Sequence, residues 1–390
     1  MKLKLLLLAL LFNFSASVFS QTPVKLSTGQ FGFAEGPAWD RNDNIYFSDV
    51  SGRIVEKYSV SNNTFTTAFT ITSPARTNGL MFNNDLDLVV CDFRDGNVTR
   101  RNTSGTILET LATGLVNNSN DLCIDKKGGT YVTAPGNSSN PTNNVYYISP
   151  SPSTTTTVID NTIGFPNGVI ISNDGQSLFV SDSDDYDIYK FDIDLNTGLI
   201  SNKVVYATLA DNDNTETRSL ADGMALDTNG NLYVTTKKSI QVFNTSGILI
   251  NTIVFGENPT NCTFGGTGLN TLFVTTPNDL YSVALPTVTG FQHPFDLPDS
   301  NLSVNNNNKL SFNVSPNPTS SYNLNIIVGN NEVIKVSLYN EMGQKIEDCR
   351  FKKTNNMVTV HFNHNINPGL YILTTTTSKG KVSNNKVVIE

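Results

Sequence analysis

Histidine is almost missing from this sequence. The 390 residues contain three, His293, His361 and His364, all outside the repeats described below. Imidazole-based Ser-His-Asp and Cys-His relays and His-ligated zinc sites are therefore excluded from those repeats. Charge is sparse as well: 15% of residues are charged, with 26 Lys and Arg against 34 Asp and Glu, a net charge of −8. With no basic run, the electrostatic footprint of a nucleic-acid-binding protein is absent. The four cysteines, Cys91, Cys123, Cys262 and Cys349, stand singly. No C-x-x-C pair points to zinc or redox chemistry, and three of them fall in apolar strand patterns, where a buried free thiol is expected. Long apolar runs are lacking too. The run Leu5 to Phe12 falls well short of the roughly 20 residues a membrane-spanning helix needs. Flanked by Lys2 and Lys4 and by Val18-Phe19-Ser20, it reads as a signal peptide over residues 1–20, cleaved before Gln21. An exported protein with no membrane span is expected, and no feature argues for an oligomer.

Asn, Thr, Ser and Gly are plentiful, which suits short strands joined by tight turns and predicts an all-β fold. Six segments share one plan of a polar residue, usually a Gly, an apolar strand, a turn and a second strand. They open at Glu35, Asn78, Asn120, Asn167, Asp222 and Asn261, 39 to 55 residues apart. A period of roughly 40–50 residues made of four short strands is what one propeller blade requires. A six-bladed β-propeller over residues 24–283 is expected, with Val24 to Leu26 adding an outer strand to the blade that ends at Tyr281-Ser282-Val283.

In a propeller the innermost strands line a central channel, so the six opening residues would form a ring around one end of it. Asn and Asp at such positions can simply make turns. Glu35 is a poor turn former, however, and it shares the register. Two carboxylates among neutral amide oxygens repel one another unless a cation neutralises them. Such an all-oxygen site suits Ca²⁺ and, less well, Mg²⁺.

At these residues the sequence resembles the family of senescence marker protein, gluconolactonase and luciferin-regenerating enzyme. The matching stretches are Ala34-Glu35-Gly36-Pro37-Ala38-Trp39, Ser119-Asn120-Asp121-Leu122, Phe165-Pro166-Asn167-Gly168, Ala221-Asp222-Gly223-Met224 and Pro259 to Gly266. The resemblance implies a divalent ion, usually calcium and in some members zinc, held by Glu35, Asn167 and Asp222 with Asn120 as a fourth ligand. It also implies a secreted metal-assisted hydrolase of lactones, with Asp222 placing or deprotonating the attacking water, and Asn78 and Asn261 meeting substrate or finishing turns. Members that open sugar lactones often carry an Arg shortly before the third-repeat Asn. Here that stretch is Val116-Asn117-Asn118-Ser119, without a cation. A related ester or phosphotriester hydrolase, or a propeller that only binds a ligand or protein at the cell surface, are the alternatives.

Residues 284–309 are rich in Pro, Ser and Asn and read as a linker. From residue 310 to 390 short apolar strands resume, predicting a small immunoglobulin-like β-sandwich. Val314-Ser315-Pro316-Asn317-Pro318-Thr319, Leu338 to Gly343 and Asn367-Pro368-Gly369-Leu370-Tyr371 resemble the C-terminal sorting domain of the Bacteroidetes type IX secretion system. That likeness implies export through the periplasm and outer membrane by that machinery, with release or surface attachment.

Overall fold

The computed structural model describes residues 21–299 and 312–390, apart from 116–117, 138–139, 211–217, 321–322, 330, 341–343, 363–365 and 379–381. The expected signal peptide, residues 1–20, and residues 300–311, which include the rest of the expected linker, lie outside the described residues. The chain divides into two units, one ending at Ser300 and the other starting at Asn301.

The first unit is six antiparallel sheets in chain order: the first five are built on meanders of four strands, the fifth with one added strand, and the sixth on three strands plus Val24–Lys25 from the start of the chain. The first contains Ala34–Trp39, Asn44–Asp49, Ile54–Ser59 and Thr64–Thr70. The others open with Arg76–Phe82, Leu122–Ile124, Pro166–Ile171, Met224–Asp227 and Asn261–Gly265. These opening strands pack on one another in cyclic order, the last against the first, which makes the arrangement propeller-type. Burial falls outward along each meander: Ala34–Trp39 is buried throughout, whereas Thr64–Thr70 is largely exposed. The apolar cores lie between neighbouring sheets, as where Val169, Leu178 and Val180 meet Met224, Leu226 and Val234.

Inner strands approach one another very closely, and that explains the dipeptide X-Gly at four of the six openings. A Cβ on Gly168 would lie 2.2 Å from the Asp222 carbonyl oxygen, and one on Gly36 would lie 2.5 Å from that of Asn78. Hydroxyls on the second strands then pin each sheet to the next. Ser48 donates to the Asn78 carbonyl (2.7 Å), Thr133 to that of Asn167 (2.5 Å) and Ser181 to that of Asp222 (2.9 Å).

Closure follows the expected pairing, Val24 opposite Ser282 and Lys25 opposite Tyr281. Two residues of strand would be a weak latch alone. Asp279 strengthens it by accepting hydrogen bonds from Lys25 Nζ (2.6 Å), Ser27 Oγ (2.8 Å) and the Gly29 amide (2.6 Å). Burial opposes its charge, but Lys25, Ser27 and Gly29 outweigh that and hold the carboxyl below its ordinary value. Asp279→Ala is expected to cost about 3 kcal/mol at neutral pH. A carboxyl with a depressed folded pKa loses its contribution as pH falls through that pKa. The gap between wild type and variant in denaturant melts should therefore close in acid, and a gap unchanged at pH 3 would refute the latch.

The stretch after Ala284 corrects the linker reading, because 284–299 belongs to the first unit. Gly290–Phe291 pairs with the inner strand of the fifth sheet. Gln292 Nε2 donates to the Trp39 carbonyl of the first sheet (2.9 Å), and His293 Nε2 meets the Ile171 carbonyl of the fourth (2.6 Å). Lys126 of the third holds the Phe295 carbonyl (3.0 Å). Trp39 and Ile171 end inner strands on opposite sides of the ring, so the segment crosses the axis and closes the channel at the end away from Glu35. Burial pushes His293 down to about 4, so it is a neutral structural imidazole.

All four cysteines are free and buried. The second unit has two four-stranded sheets, one containing Asn313–Ser315, Asn323–Ile327, Met357–His361 and Arg350–Thr354. The other contains Lys345–Asp348, Val333–Asn340, Gly369–Thr377 and Val382–Ile389. Leu324, Ile326 and Val358 of one sheet share a core with Val336, Leu338 and Leu373 of the other. Among the described residues no helix is long and apolar enough to cross a membrane.

Candidate functional site

The six sequence-predicted residues all stand at or just before the start of an inner strand, at the open end of the channel. Glu35, Asn78, Asn167 and Asn261 are buried, while Asn120 and Asp222 are partly exposed. Burial first, and then the charge of Asp121, push the Glu35 carboxyl up to about 8, although the Gly36 amide works the other way. Asp222 is raised well above the ordinary range by burial and by the charges of Glu35 and Asp121. These three acids feel one another across a space from which bulk water is largely excluded.

Asp121 is the residue that the sequence reading missed as part of the site. It stands in the register where four other repeats carry the Gly after the opening residue, so its side chain occupies space that elsewhere is left for backbone. Burial raises it to about 7, against hydrogen bonds from the Leu122 and Val169 amides and from Asn261. Because Asn261 belongs to the sixth sheet and Val169 to the fourth, Asp121 lies near the axis. The departure from X-Gly to Asn-Asp in the third repeat was the signal available.

The amides divide by what their oxygens do. Asn261 Oδ1 accepts from the Cys262 amide (2.7 Å) and its nitrogen serves Asp121, so both ends are engaged within the protein. Asn120 Oδ1 accepts from Asn78 Nδ2 (3.0 Å). Asn167 donates its Nδ2 to Ser183 Oγ (3.0 Å), and Ser183 in turn donates to the Ala221 carbonyl. Asn167 Oδ1 is left buried and without a hydrogen-bond partner. A buried acceptor of this kind costs free energy unless something else satisfies it.

That orphan oxygen, in the same ring as mutually repelling carboxylates, is the electrostatic complement of a hard cation. Among the described residues no three His, Cys, Asp and Glu side chains are grouped so as to hold a metal. An ion here would need amide oxygens besides the acids, which selects against soft, thiolate-seeking metals.

The SMP-30/Gluconolactonase/LRE-like region matches residues 33–278. The chain belongs to this family. A gluconolactonase of Zymomonas mobilis is 27% identical over 302 residues, 68% of this chain and 82% of that protein. The lactonase drp35 of Staphylococcus haemolyticus is 33% identical over 158 residues, 38% of this chain and only 47% of that protein. Among solved structures, a gluconolactonase from Xanthomonas campestris superimposes with a TM-score of 0.59 at 26% identity, covering 68% of this chain and 89% of that one. Residues 313–390 match the secretion system C-terminal sorting domain.

Proposed function

We propose that the first unit is a six-bladed propeller acting as a secreted, divalent-metal-dependent lactone hydrolase, with calcium the best-matched ion. The observation that carries this reading is the buried, unpartnered Asn167 Oδ1 in the same ring of residues as the raised carboxyls of Glu35 and Asp222. Glu35, Asn167 and Asp222 would hold the ion. Asn120 would be the weaker fourth ligand, because Asn78 already uses its oxygen. When bound, the ion would polarise the lactone carbonyl and stabilise negative charge on its oxygen. Asp222, partly open to the channel, is placed to position or take a proton from the attacking water once the ion favours its ionised form. Asn78, at the same level, would orient substrate, while Asn261 would support Asp121. The second unit, which we read as an immunoglobulin-like sandwich, would direct export through the type IX machinery to the surface or the medium.

Calorimetry with Ca²⁺ followed by a lactone panel tests the proposal. Absence of metal binding would sink it, and metal binding with no turnover would favour a ligand-binding propeller. Ser183 sharpens the test, since its hydroxyl sets which end of the Asn167 amide faces the acids. Ser183→Ala is expected to weaken Ca²⁺ binding by roughly tenfold, with Ser183→Thr recovering part of the loss. Unchanged affinity in Ser183→Ala would remove that role.

A further inference from the structure

Side chains two residues apart on a strand leave the same face, about 6–7 Å apart. The residues two before the ring therefore make a second tier nearer the mouth: Phe33, Arg76, Asn118, Phe165, Leu220 and Pro259. The register supports this for three of them. Arg76 pairs with Phe93 on the second strand of its sheet, while Phe33 and Phe165 accept from the amides of Val50 and Ser183 at the matching positions. Phe33 is 39% exposed despite its size, as a residue at an opening would be.

Arg76 is the cation of this tier, and among the described residues it has no counter-ion. Its Nε is shielded from solvent with no hydrogen-bond partner, and so is the Nε of Arg53. Arg53 immediately precedes the strand Ile54–Ser59, which packs on the strand Arg76–Phe82, so the two arginines share the rim between the first and second sheets. Three other arginines of the first unit have acids: Arg218 meets Asp184 (2.5 Å), Arg100 meets Asp87 (2.7 Å) and Arg101 meets Asp92 (2.9 Å). Arg41 stacks on the Phe295 ring instead, and among the described residues only Arg53 and Arg76 bury an Nε without a partner. In a chain of net charge −8, two guanidiniums on adjoining sheets without an acid among the described residues leave donors that an incoming anion can satisfy. The planar guanidinium fork matches a carboxylate in particular.

We infer that Arg76, assisted by Arg53, recognises a carboxylate on the substrate, so that the lactone accepted here is that of a dicarboxylic sugar acid. The inference rests on the hydrolase reading of the channel. The ring would engage the lactone end, and Arg76, one tier higher, would take the free carboxylate at the other end.

The test compares D-glucaro-1,4-lactone, which carries a free carboxylate, with D-glucono-1,4-lactone, which does not. Wild type is expected to favour the acidic lactone in kcat/KM by roughly 30-fold or more. In Arg76→Gln that ratio should collapse toward unity, mainly through KM, with Ca²⁺ affinity retained. A wild-type ratio near one, or the same ratio in the variant, would overturn the inference. Arg53→Gln provides the same comparison in a smaller step should Arg76→Gln fold poorly. If wild type hydrolyses neither lactone, titration with D-glucarate in the presence of Ca²⁺ decides the matter. Glucarate binding lost in Arg76→Gln upholds anion recognition while the hydrolase reading falls. No glucarate binding to wild type overturns the inference.

Discussion

Asp222→Asn is expected to lower lactone turnover by about 10³-fold or more, while Asn78→Ala stays within about tenfold of wild type. The asymmetry follows from position. Asp222 is a candidate ligand whose carboxyl pKa is raised by burial and by the charges of Glu35 and Asp121, whereas Asn78 offers an amide already bonded to Asn120. The same substitution has a second expected effect of opposite sense. Without metal, replacing Asp222 by a neutral amide removes a carboxylate that burial and its neighbours disfavour, so the chelated variant should melt above chelated wild type. A residue kept for structure alone would lower the melting point. Equal activity losses in Asp222→Asn and Asn78→Ala would refute the roles assigned to them.

Chelated wild type should also lose stability as pH rises, with calcium abolishing that loss. Glu35 and Asp121 move from ordinary values of 4.5 and 3.8 to about 8 and about 7 in the folded chain. A group whose folded pKa is raised stabilises fully below its unfolded pKa and loses that contribution as pH climbs through the folded one. The window therefore runs from about pH 4 to about pH 8. Across it the melting temperature of the chelated protein should fall by roughly 5–10 °C. A bound cation favours the ionised acids, so calcium should flatten the curve, bind more tightly as pH rises and release protons near pH 7. Melting curves at several pH values, with EDTA and with excess Ca²⁺, would show this. Parallel curves in the two conditions would mean that these acids do not face the ion.

The ring was legible in the sequence because strand-turn-strand repeats place equivalent residues at equivalent heights. Six openings from Glu35 to Asn261 thus mark one level of the sheets, the level at which the candidate site is proposed. Three other features were not legible, each for its own reason. Asp121 reads as one half of an Asn-Asp turn until its register shows it standing where Gly36, Gly79, Gly168 and Gly223 do. The segment from Gly290 to Phe295 has a composition suited to a linker, and its main anchors are backbone carbonyls on separate repeats, which leave no pattern in side chains. Arg76 becomes informative only through having no counter-ion among the described residues, and pairing is a property of three dimensions.

The segment that crosses the axis through Gln292 and His293 turns what would be a tunnel into a blind well. On the hydrolase reading, reactant and water would descend through the same mouth by which the opened acid would leave, with nothing threaded through from below. Traffic in such a well is strictly last in, first out. The arginines at its lip would then meet every molecule twice, drawing in the acidic lactone and briefly detaining the diacid it becomes.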